Sequence, residues 1–159
     1  MPLGAFKAAL MGTAGATAAA DVVLLSSTTA SNASAVSITS GLTSTSFSAY
    51  HQEDGTDGTL AYTSAIDQAQ GTAYEKLTRD TGNFADAAAA GELHIFNPAS
   101  TTYVKHFYSK TNSMNGDSPP YCWTLLHAGY INTTSAIDEI QFKSSSGNFD
   151  GKIKMWGVK

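Results

Sequence analysis

Short runs in which apolar and polar residues alternate recur along most of the chain. Val36 and Ile38 alternate with Ser37 and Thr39 up to Gly41, and Phe47, Ala49 and His51 repeat the pattern with Tyr50 on the other face. A period of two is the signature of a half-buried β-strand. Val22 to Leu25 is a short apolar run, and the Ser/Thr/Asn stretch through Ser34 reads as a loop. Leu60 to Ala69 fits a strand or a helical turn, Thr72 to Leu77 a further strand, and Ala85 to Ala90 a loop or single turn. The last third is clearest. Glu92–Phe96, the turn at Asn97–Thr101 with Pro98, and Tyr103–Tyr108 predict a β-hairpin. Asn115–Pro120 is an exposed loop, and Trp123 to Ile131 is a strand in which Gly129 marks a bulge or a close approach. Ile140 and Phe142 alternate with Glu139, Gln141 and Lys143; the chain turns over Ser144–Gly151 and returns through Lys152–Trp156.

Regularly spaced short strands without a helical period predict an all-β fold, an antiparallel β-sandwich of jelly-roll type over residues 21–159. Composition agrees. About a quarter of the 159 residues are Ser or Thr, and no segment offers i, i+4 Glu–Lys support for a helix. Hydrophobic residues make up 42 %, enough for one domain with a modest core. The net charge of −4, with nine Lys and Arg in all, argues against nucleic acid as a partner. No run of 18 apolar residues exists to cross a membrane.

Residues 1–20 form a different segment, small and weakly apolar, with Lys7 as its one charge. Gly12 and Gly15 would stop any helix begun at Lys7–Met11. The stretch before Ala18-Ala19-Ala20 is too interrupted for the continuous apolar region of a signal peptide, which predicts synthesis and assembly in a cytoplasm. Leu3, Phe6, Leu10 and Met11 are costly to leave in water, so the segment reads as an extended N-terminal arm that docks on a partner.

Catalytic fingerprints are missing. The chain has no phosphate-binding loop, no G-x-S-x-G elbow and no H-E-x-x-H, and no carboxylate pair is nominated for glycoside hydrolysis. The single cysteine, Cys122, allows no intramolecular disulfide and no Cys-based zinc site. His94 and His106 sit on the two arms of the hairpin, where with Glu92 they would make a passable metal site; the favoured reading is solvent-facing residues alternating with Leu93, Ile95 and Phe107. Glu53, Asp54 and Asp57 crowd one loop, read as solvated because the calcium-loop pattern is absent. No cofactor or metal is expected. Tyr121 and Trp123, just after Pro119-Pro120, are the nominated ligand contacts, aromatic rings placed to stack on a sugar or a protein.

The opening Met1-Pro2-Leu3-Gly4-Ala5-Phe6-Lys7-Ala8-Ala9-Leu10-Met11-Gly12-Thr13-Ala14-Gly15 resembles the start of small structural proteins of tailed, especially marine, phages. Ala136–Phe142 with Ser145–Lys159 looks like their shared C-terminal hairpin, and Tyr103–Tyr108 also fits. The pattern departs from theirs in that Gly41–Ser44 and Phe47–His51 nearly abut, where extra strand sequence often intervenes. The resemblance implies a virion component. With the sticky arm it leads to the expectation of a non-enzymatic capsid decoration or cement protein, a homotrimer gripping the major capsid protein through residues 1–20. The rival expectation is a tail-fibre or tail-tip adhesin that binds host glycans through Tyr121 and Trp123.

Overall fold

The computed structural model describes residues 22–33, 41–137 and 139–158. The arm, with Leu3, Phe6, Leu10 and Met11, and the expected strand at Val36–Ile38 lie outside these residues. The described chain is all-β, with one short 3-10 turn at Ser64–Ile66. Its strands are β1 (Val22–Ala33), β2 (Leu42–Gln52), β3 (Gly58–Tyr62), β4 (Ala89–Ile95), β5 (Lys105–Asn115), β6 (Tyr121–Ile131) and β7 (Phe149–Val158). The chain divides into two compact units, one holding β1 and β7, the other β2 to β6.

In the first unit β1 and β7 form a two-stranded antiparallel ladder from Val22↔Val158 to Ala33↔Phe149. Two segments here differ from the sequence expectation. The Ser/Thr/Asn stretch expected as a loop continues β1, because β7 satisfies its backbone groups and Thr28 and Thr29 suit a strand. The expected hairpin of residues 136–142 with 145–159 does not form among the described residues. Residues 139–148 are irregular, and β7 spends its hydrogen bonds on β1.

The second unit is one antiparallel sheet of five strands in the order β3-β2-β6-β5-β4. The β4–β5 hairpin, the loop after Asn115 and the long β6 match the sequence reading. Gly129 is the anticipated close approach: a Cβ there would collide with the Thr43 carbonyl oxygen and crowd Ser44 and Phe107. Thr72–Leu77 is irregular rather than a strand, and a lone bridge, Leu42↔Gly71, precedes it.

That irregular segment belongs to a strap over 63–82 that bonds to residues of one sheet face. Under it lie Leu42, Ser44, Ser46 and Ser48 of β2, Leu125, His127 and Ile131 of β6, and Phe107, Ser109, Thr111 and Ser113 of β5, all buried. A strap without a ladder must find partners for its backbone groups elsewhere. The sheet's hydroxyls supply them. Ser46 donates to the Thr63 carbonyl at 3.0 Å, Ser113 to Arg79 at 2.8 Å and Thr111 to Leu77, while Ser44 Oγ accepts from the Gln68 N–H at 3.0 Å. An apolar cluster of Leu42, Phe107 and Ile131, backed by Leu93, Ile95 and Ile137, closes one end.

The phase of β2 is the opposite of the expected one. Phe47 faces out at 50 % exposure, while the serines on either side of it are buried. Leu126 and Tyr108 are likewise exposed beside buried His127 and Ser109.

Candidate functional site

Three groups of side chains carry chemistry, the first at the end of the sheet where β2 and β6 meet their loops. Register sets Tyr50 opposite Trp123 and Gln52 opposite Tyr121. The Tyr50 ring centroid lies 4.7 Å from that of Trp123 and 5.2 Å from that of Tyr121, so both nominated ligand contacts belong to one aromatic cluster. Trp123 is 8 % exposed, and the Arg79 guanidinium sits 4.4 Å over its ring. That cation occupies the face on which a sugar would stack. Tyr121 is half-buried.

The acidic loop is tied into the same end. Tyr50 donates its phenolic hydrogen to Asp57 at 2.7 Å, and this bond to a carboxylate raises the Tyr50 pKa above its ordinary value. Asp54 accepts from the Thr56 backbone N–H at 2.9 Å and its hydroxyl at 2.7 Å, which hold its carboxyl below the usual range. Asp57 also accepts from the Gly58 N–H. These carboxylates are thus engaged locally. Among the described residues no group of three or more His, Cys, Asp or Glu is placed to hold a metal ion. His94 and His106 do not face each other. Register puts His94 against Tyr108, on which it stacks at 4.6 Å, and His106 against Tyr130. Their solvent-facing alternation with Leu93, Ile95 and Phe107 is as read from the sequence.

The second group is buried under the strap. His127 Nε2 lies 3.1 Å from Glu75 Oε1, with the two side chains 0 % and 6 % exposed. The pair is close without being aligned for a hydrogen bond, and both ring nitrogens of His127 lack a hydrogen-bond partner among the described residues. Ser46 and Ser109 flank His127 on the neighbouring strands. Asp67 Oδ1, 2.6 Å from Ser46 Oγ, competes with the Thr63 carbonyl for the single proton of that hydroxyl. Desolvation raises the Glu75 pKa; His127, the Ser44 hydroxyl and the Lys76 backbone oppose that rise, and Asp67 adds to it. Sequence reasoning assigned His127 no role. A histidine set between Leu126 and Ala128 in a strand was the available signal, but its partner comes from a loop 52 residues earlier.

The third group is the outer face of the sheet. Phe47, Leu60, Tyr62, Phe96, Tyr108 and Leu126 are each 40 % exposed or more. Phe47, Tyr108, Leu126, Thr45 and Ala128 line an open apolar depression of about 210 Å³. No family model matches the chain, and no curated protein or solved structure does so either.

Proposed function

We propose that this chain is a non-enzymatic structural protein of a tailed-phage particle, a head decoration protein that binds the capsid shell through residues 1–20. The observation that carries the reading is the sequence likeness of Met1–Gly15 and Ser145–Lys159 to small phage structural proteins, joined to an apolar opening segment. The all-β architecture is compatible with it. Decoration requires surfaces that bind other proteins, and an outer sheet face rich in large apolar side chains supplies one. The five-stranded sheet is, in this reading, one layer of a β-sandwich, because a sheet with an apolar face is stable only when that face is covered.

The adhesin alternative draws on Tyr121 and Trp123. Arg79 over the Trp123 ring weighs against it, since that ring is the larger stacking surface. Deleting residues 1–20 is expected to abolish binding to capsids lacking the protein while leaving the far-UV circular dichroism of the β domain intact. Undiminished capsid binding by the truncated, folded chain would contradict the assignment.

A further inference from the structure

The five-stranded sheet has two faces of opposite construction. The strap side is covered, held by hydroxyl-to-backbone bonds and a small apolar cluster. The other side leaves Phe47, Leu60, Tyr62, Tyr108 and Leu126 at least 40 % exposed. Across its centre the register aligns Tyr62, Phe47, Leu126, Lys110 and Glu92 in one row. Tyr108, His94 and Phe96 make an aromatic corner beside that row. Phe47 and Tyr62, 5.7 Å apart, make another at the opposite edge.

We propose that this outer face is the contact between two copies of this chain, stacked sheet on sheet, so that the second layer of the sandwich proposed above is another copy. Charge supports self-association. The face bears one lysine and one glutamate, Lys110 and Glu92, paired directly across β5 and β4, in a chain of net charge −4. A face with no net charge meets its own copy without repulsion. Area supports it too. Five strands spaced by ~4.8 Å, and about eight residues along each, give a face of roughly 600 Å². Two such faces bury about 1,200 Å², the lower bound of a standard specific interface. A stacked pair is isologous, with Leu126 on the central strand β6 near the middle of the contact.

The inference rests on the sandwich reading and is independent of the phage role, so its test must separate the occupant from the covering. Cys122, the chain's one cysteine, is exposed on the same outer face and reports whether that face is covered. Sedimentation of the full chain, with the rate of Cys122 reaction with a thiol reagent, is compared with Leu126→Lys, Phe47→Lys and the off-face control Ala136→Lys. The expected result is a dimer for the wild type and the control. Each face variant becomes a monomer with unchanged circular dichroism, and its Cys122 reacts several-fold faster. Since Leu126 and Phe47 are exposed in the single chain, neither change threatens the fold. A wild-type monomer whose Cys122 is protected overturns the second copy while keeping the sandwich, the cover then coming from within the chain. A wild-type monomer with freely reacting Cys122 overturns both. An oligomer whose size neither face variant alters places the contact elsewhere and overturns the proposal.

Discussion

Glu75 carries an ionisable carboxyl into the interior. Its carboxyl is 6 % exposed beneath the strap, within 3.1 Å of His127, and burial raises its pKa above the ordinary 4.5. A raised folded-state pKa means that the folded chain holds this proton more tightly than the unfolded chain does. The contribution to stability is complete below 4.5 and is lost as pH climbs through the folded value. The stability of the wild type minus that of Glu75→Gln, from denaturant unfolding at a series of pH values, should therefore decline as pH rises from 4.5 and then level off. A difference that stays flat or grows between about pH 4 and about pH 8 would contradict this. None of this was legible beforehand. A lone Glu75 in one expected strand and a lone His127 in another give no hint of pairing, because the pair depends on where an irregular segment crosses the sheet.

At the scale of elements, local strand pairing was readable and long-range pairing was not. The β4–β5 hairpin follows from nearby residues, whereas the β1–β7 ladder joins segments more than a hundred residues apart. Gly129 was marked by its own missing side chain, although what it packs against, Thr43 and Ser44, lies on the distant β2. The inverted phase of β2 has a different cause. Apolar alternation marks two faces but does not say which is inward, and here the strap's need for hydrogen-bond partners puts the serines inside. The abundance of Ser and Thr, read from composition as favouring strands and loops over helices, is partly the means by which a ladderless strap is held down. Thr111→Val, which keeps the side chain's size and removes its bond to the Leu77 carbonyl, should cost about 1–3 kcal/mol in denaturant unfolding. It should also hasten proteolysis within 63–82. A stability equal to the wild type would mean that the hydroxyls merely fill space.

For the whole molecule, the proposed reading gives the outer face and the opening segment each a partner. The apolar face suits contact between copies, and the first twenty residues are the part assigned to the shell. A protein built to decorate a capsid must be present in proportion to the shell subunits, whereas an adhesin or tail component is needed in a few copies. Quantitative mass spectrometry of purified virions, measuring this chain against the major shell protein, is the most direct test. The decoration reading predicts a copy number comparable to that of the shell protein. A handful of copies per particle, or none, would contradict it.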